Sequence, residues 1–240
     1  MAVKQMQSAA RVLATFEAVV SEQPIGLGAL ARRLGEDKSA LQRALATLAS
    51  AGWIEPANSG ATGWQASNRV LVLAHVARRG SDVVQRARQV LEQLRDETEE
   101  TIILNVPDGR TLVIVDAVVS HQVLRTSPKV GMLVPVSSSA AGRALLSHLP
   151  MDEVIEFVDG EPPPDLGATL AADRERGWSI NAEDVAQGVT AVGAAVLTAD
   201  GRPVASITIS VPIARMPFER YDELGAQVAR AAAELSDGQR

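Results

Sequence analysis

The 240-residue chain is 46% hydrophobic and 22% charged, with a net charge of −6 and no cysteine. That balance suits folded structure throughout, on a chain long enough for two modest domains. It excludes disulfides, thiolate metal sites and a cysteine nucleophile. No apolar run reaches membrane-spanning length and the start lacks a signal-peptide core, so a cytoplasmic protein with no membrane partner is expected.

Charge is unevenly spread. Residues 1–80 hold nine Lys and Arg against five Asp and Glu, a net +4, whereas residues 81–240 hold 14 against 24, a net −10. A basic segment of this kind suits a polyanion, and the acidic remainder has another task.

In chain order, Ala9, Val12, Leu13, Phe16, Val19 and Val20 recur at helical spacing, with Ser8 placed to cap and Pro24 as the stop. Leu27, Leu30, Ala31 and Leu34 give a short second helix ended by Gly35. Asp37 or Ser39 caps a third, "KSALQRALATLASAG", whose apolar side is Leu41, Ala44, Leu45 and Leu48. "WIEP", the turn-rich "ANSGATG" and "WQAS" then form a hairpin. Three helices with a tight turn and a trailing hairpin make a winged helix-turn-helix over 1–68.

The third helix of such a motif enters the major groove of double-stranded DNA. Its polar face carries Lys38, Ser39, Gln42, Arg43 and Thr47. Arg suits guanine, Gln suits adenine, and Lys or Ser holds phosphate. A merely solvated helix face is the ordinary alternative. The hairpin tip, Asn58 to Gly63, has no basic residue, so little backbone contact is expected there.

Residues 69–100 read as connecting helices, broken at Gly80 and capped again by Ser81 or Asp82. Val83, Val84, Ala87, Val90, Leu91 and Leu94 form a wide stripe suited to a partner subunit or to the chain's own core. From Thr101 the period changes. "TIILNV", "TLVIVDAV" and "HQVLRT" are strand-like, the first two joined across "PDGR". Helices follow after the serines at 137–139, near Asp152 to Val158 and over Leu166 to Arg176. "GWSI", "VTAVGAAVLT" and "PVASITIS" return to strands, and Glu219 to Leu235 is a last helix. Residues 101–240 are therefore expected to form an α+β domain, an antiparallel sheet covered by helices.

The stretch "VPVSSSAAGRALL" raises the question of catalysis. A serine nucleophile needs a base, and the histidines available are His75, His121 and His148. None stands near Ser137, Ser138 or Ser139 in sequence except His148, at the far end of the same predicted helix, and no G-x-S-x-G elbow surrounds them. No pair has metal-ligand spacing, so neither metal nor cofactor is expected. The other reading is a ligand cradle: helix-start amides, with the small Ala140, Ala141 and Gly142 leaving the backbone open to close approach. No enzyme is expected; a ligand-processing enzyme with an accessory DNA-binding head is the alternative.

These residues resemble the IclR family of bacterial transcriptional regulators over nearly the whole chain. "LGALARRLGEDKSALQRALATLASAGWIE" resembles the family's second and third helices and first wing strand. "GMLVPVSSSAAGRALL", "RGWSINAEDVAQGV" and "GAAVLTADGRPVASITISVP" are similar to successive segments of its second domain. The resemblance implies a regulator, usually a repressor, that binds operator DNA as a homodimer or a dimer of dimers. It also implies a GAF-like domain over 101–240 whose small-molecule effector, an organic or aromatic acid or amide, changes DNA binding. By position it implies an effector pocket built from Val134, Ser139, Ala140, Ala141, Asn181, Val189, Ala191, Thr208 and Ser210, with Val123 and Thr126 as further candidates. Ser137 stands in place of the family's usual histidine, Arg143 of its lysine, and Asn181 of an acid. No cationic side chain is expected in the pocket.

Overall fold

The computed structural model describes residues 6–57, 62–77, 82–158, 161–182 and 185–237. The chain divides into two compact units, 1–80 and 81–240. Most of the hairpin tip and the expected break at Gly80 and Ser81 lie outside the described residues.

The first unit holds α1 (Gln7–Glu22), α2 (Leu27–Leu34), α3 (Lys38–Ser50), β1 (Ile54–Pro56), β2 (Trp64–Ala66) and α4 (Arg69–Ala77). Ala18, Val19, Leu30, Leu41, Leu45, Leu48 and Ile54 meet in one core, which closes the three helices on the hairpin. Phe16 sets the edge of its ring on Trp53 at 5.3 Å, filling the gap where α3 runs into the wing. β1 and β2 pair antiparallel, and Ile25 exchanges backbone bonds of 3.0 and 2.9 Å with Trp64, adding a short third rung. Gly63 allows that rung: a Cβ there would stand 3.0 Å from the Ile25 carbonyl carbon.

Three sequence expectations need correction in this unit. α1 starts at Gln7, so Ser8 lies inside its first turn and caps nothing. Asp37 occupies the N-cap position of α3 without a side-chain bond, and Ser39 is already helical. Leu13, counted with the buried stripe, is 62% exposed.

The second unit holds α5 (Asp82–Thr98), β3 (Thr101–Asp108), β4 (Thr111–Val118), β5 (Leu133–Pro135), α6 (Ala140–Leu146), α7 (Met151–Ile155), α8 (Leu166–Arg176), β6 (Ser179–Ala182), β7 (Val189–Leu197), β8 (Pro203–Pro212), a 3-10 turn (Ile213–Arg215) and α9 (Arg220–Asp237). The strands form one antiparallel sheet in the order β5-β4-β3-β8-β7-β6. One face carries α5 and α9. The stripe Val83, Ala87, Val90, Leu91 and Leu94 is buried in this unit's own core with Leu224, Val228 and Leu235 of α9. It therefore packs inward rather than waiting for a partner subunit.

β8 shows how the two faces are kept apart. Ala205, Ile207, Ile209 and Val211 point to the helices, whereas Ser206, Thr208 and Ser210 take the alternate positions and point the other way. α6 lies on that second face, and Ala141, Leu145 and Leu146 pack there with Ile103, Leu112 and Val134. Gly193 of β7 brings α6 close, because a Cβ there would stand 3.0 Å from the Ala140 carbonyl.

One expected strand is absent. "HQVLRT" is irregular, and Val123 is 97% exposed. The free edge of β4 pairs instead with β5, in the register Leu112↔Val134. The carbonyls of the irregular segment are taken by side chains: Thr101 Oγ1 donates to Thr126 at 2.8 Å, and Arg215 Nη1 donates to Leu124 at 2.6 Å. A strand ladder is thereby replaced by a strap over the sheet's end.

Candidate DNA-recognition helix and ligand cavity

α3 presents Lys38, Ser39, Gln42, Arg43 and Thr47 to solvent, while Leu41, Ala44, Leu45 and Leu48 are buried beneath them. Burial of every other side of the helix fixes which face is offered. Thr47 Oγ1 donates back to the Arg43 carbonyl at 2.9 Å, so its hydroxyl serves the helix first. The side chains of Lys38 and Arg43 find no partner among the described residues, unlike Arg33, which pairs with Glu22, and Arg11, which pairs with Glu36 at 2.8 Å. Arg32 on α2 is a third exposed cation without a described partner. Sequence reasoning passed over it because it lies outside the recognition helix.

In the second unit the polar face of β8 floors a cavity of about 440 Å³. Its size falls in the range of small-molecule sites, and its walls are mostly apolar with a few convergent polar groups. All of Val134, Ser139, Ala140, Ala141, Asn181, Val189, Ala191, Thr208 and Ser210 line it, as does Thr126. Val123 does not; it faces solvent. Ile103, Asn105, Ile114, Met132 and Arg125 also line the cavity and were not foreseen. Arg125 corrects the expectation of a wall without a cation.

The serines resolve into a framework. Ser139 is the N-cap of α6: its Oγ accepts from the Gly142 amide at 3.0 Å and donates to the Pro135 carbonyl at 2.5 Å. Its proton is held by the Pro135 carbonyl, and no histidine is among the described lining residues. His148 stands at the other end of the helix, its pKa lowered first by burial and then by the Arg174 charge. Gly142 does not open the backbone to a ligand, as the sequence suggested. The space above it belongs to Val136, whose carbonyl oxygen would lie 1.9 Å from a Cβ.

Asn181 sits at the end of the sheet, 3% exposed, and its Nδ2 donates to the Ser138 carbonyl. The strand that carries it is held by Arg143, which donates to the Ile180 carbonyl at 2.8 Å and grips both oxygens of Asp173 at 2.8 to 3.0 Å. Arg143 therefore turns away from the cavity. Burial pushes the Asp173 carboxyl upward in pKa, while Arg143 and Arg176 pull it back. Arg176 in turn lies over the Trp178 ring at 4.2 Å.

The strap over the cavity hangs from a second buried acid. Glu100, 2% exposed, receives Arg215 in two bonds of 2.9 and 2.5 Å, which raises the Arg215 pKa. The same guanidinium reaches the Leu124 carbonyl, and Thr126 Oγ1 donates to the Ser210 carbonyl at 3.3 Å. The residues from Leu124 to Pro128 become the cavity's outer wall. Among the described residues, no group of His, Asp and Glu is arranged to hold a metal ion, and no helix is long and apolar enough to cross a membrane.

Comparison with known proteins decides the family. Residues 8–57 match the IclR helix-turn-helix domain, and residues 75–237 match the bacterial transcriptional regulator IclR C-terminal domain. The chain belongs to the IclR family of bacterial transcriptional regulators. It is 28% identical to the acetate operon repressor of Salmonella typhimurium over 247 residues, covering 97% of this chain and 89% of that protein. The crystal structure of the Thermotoga maritima IclR superposes with a TM-score of 0.78 at 21% identity, covering 98% of this chain and 99% of the other. An IclR homologue from Microbacterium hydrocarbonoxydans, solved with 4-hydroxybenzoate, gives a TM-score of 0.74 at 20% identity, covering 97% and 99%. A winged helix-turn-helix followed by an α+β domain with an antiparallel sheet is thus the fold of this IclR-family regulator.

Proposed function

We propose that this protein represses transcription by binding operator DNA through α3, and that a small organic acid or amide in the cavity of the second unit changes that binding. The observation that carries the reading is the cavity itself. Strands β3, β4, β6, β7 and β8, the start of α6 and the strap converge on one apolar space with polar groups at a few points. On α3, Lys38, Ser39, Gln42 and Arg43 are the base and phosphate contacts, with Thr47 in support and Arg32 as a further phosphate contact. The relative that binds 4-hydroxybenzoate supports an organic acid as the class of effector.

The working form is a homodimer, or a dimer of dimers, in the cytoplasm. Leu71, Val72, Leu73 and Val76 of α4 are 41 to 69% exposed, and Met6 before α1 and Leu13 within it are 72 and 62% exposed. Apolar surface of this kind on a small unit suits burial against a second copy. The domain limits in this reading are 1–68 for DNA binding, 69–100 for the connection and 101–240 for the effector domain. The occupied Ser139 hydroxyl supports a sensor over an enzyme.

The test is a gel shift at fixed salt on the DNA flanking the protein's own gene, with random duplex as competitor and with organic acids added. Specific binding that an acid changes supports the reading. Binding that random duplex competes away as well as the flanking DNA does sinks it.

A further inference from the structure

The cavity has two unlike ends. The sheet register shows how far apart they are. Thr101 pairs with Ser210, and both bond to Thr126 of the strap, so this rung lies under the outer wall. Asn105 pairs with Ser206, four residues further along β3, a run of about 13 Å at the rise of an antiparallel strand. Between the two rungs, Gly193 and Thr208 pass beneath the start of α6. The strap end is open and the Asn105 end is covered.

At the open end, Arg125 is the one ionisable side chain among the described lining residues. It is exposed, pairs with no described carboxylate, and donates only to the Gln122 carbonyl of its own loop at 2.9 Å. A guanidinium with four spare N–H directions and no counter-ion among the described residues suits a carboxylate.

At the covered end, Asn105 is 2% exposed. Its Nδ2 faces the Thr208 hydroxyl at 3.2 Å and the Ser206 carbonyl at 3.5 Å. A carbonyl oxygen only accepts, which fixes the amide nitrogen on that side. Asn105 Oδ1 then accepts no bond from any described residue, although the side chain lines the cavity. That oxygen opens onto the cavity, where a ligand carrying a donor can bond to it in place of water. Between the ends one wall is the apolar Ile103, Ile114, Met132 and Val134, opposite the hydroxyls of the β8 floor.

We infer that the effector is an apolar-bodied organic anion carrying a hydrogen-bond donor at the end opposite its carboxylate, seated with the carboxylate on Arg125 and the donor on Asn105 Oδ1. This rests on the cavity being the effector site. Arg125 and Asn105 are then its specificity-determining residues, and the acid end faces the strap rather than the start of α6. A ligand bound in this direction also ties the strap to the sheet floor, through one molecule touching both.

Four rigid probes separate the terms by calorimetry on the full chain: 4-hydroxybenzoate, 4-hydroxybenzamide, 4-methoxybenzoate and benzoate. The expected result is that 4-hydroxybenzoate binds about tenfold tighter than the neutral amide and about threefold or more tighter than the two acids without a donor. Arg125→Gln, at an exposed position, folds normally and brings acid and amide level while keeping the preference for hydroxyl over methoxyl. An acid preference that survives Arg125→Gln, or indifference to the hydroxyl, overturns the inference. Ala191→Phe, which fills the cavity, tells this failure from the larger one. If that variant abolishes binding while Arg125→Gln changes nothing, only the seating falls. If no probe binds, or Ala191→Phe changes nothing, the effector-site reading falls and takes the inference with it.

Discussion

A Cβ on Gly142 would stand 1.9 Å from the Val136 carbonyl oxygen and 2.5 Å from its Cα. Since both contacts are backbone, neither can swing aside, and the start of α6 is locked to the segment that follows β5. Gly142→Ala is expected to cost about 1–3 kcal/mol or more through overpacking. Thermal melting should show a drop of several degrees, whereas an unchanged melting point would mean that the two segments separate easily.

Removing Asp173 leaves Arg143 without its carboxylate beside the buried end of β6. Asp173→Ala is expected to destabilise the second unit by about 1–3 kcal/mol, the usual cost of losing charge-assisted hydrogen bonds at a part-buried pair. A chemical denaturation curve measures it, and a loss below 1 kcal/mol would show that water replaces the carboxylate.

His148 gives a pH dependence of known sign. Burial and Arg174 lower its pKa from the ordinary 6.5, so the unfolded chain binds the proton more readily than the folded one. Its contribution is present above pH 6.5 and is lost as pH falls from 6.5 through the lowered folded value. His148→Gln should flatten the fall in melting temperature between neutral and mildly acidic pH. An unaltered slope in that variant would assign the effect to other groups.

On α3, Arg43→Ala touches no buried contact and should leave the melting temperature unchanged. If Arg43 reads a base, the variant should lose about 1–3 kcal/mol on the operator and little on random duplex. Arg32→Ala is expected to weaken both equally and to lower the salt slope by about one unit, as a phosphate contact does. Equal losses for Arg43→Ala on the two DNAs would make it a phosphate contact as well.

The sequence was most informative where a period was long and uninterrupted. α8 begins and ends where its pattern placed it, and the β3–β4 and β7–β8 hairpins turn at the two DGR motifs through Gly109 and Gly201 at φ 58° and 82°. The nine pocket residues carried over by resemblance surround one cavity. What the sequence hid was set by tertiary partners. Nothing in "HQVLRT" tells that Thr101 and Arg215 will claim its carbonyls and stop it from pairing as a strand. Asn105 left a faint signal, one amide at an inward position of an apolar strand. Arg125 left none, because a surface arginine and a cavity arginine read alike. Gly142 misled, since smallness served the chain's own packing.

The alternation along β8 also separates two kinds of position. Positions 205, 207, 209 and 211 answer to the helices and resist change, because every one of them is buried in the shared core. Positions 208 and 210 line the cavity on the other face, where exchanges among small polar residues leave that core untouched. A single strand thus lets the cavity's lining be substituted at alternate positions while the core that holds the sheet stays intact.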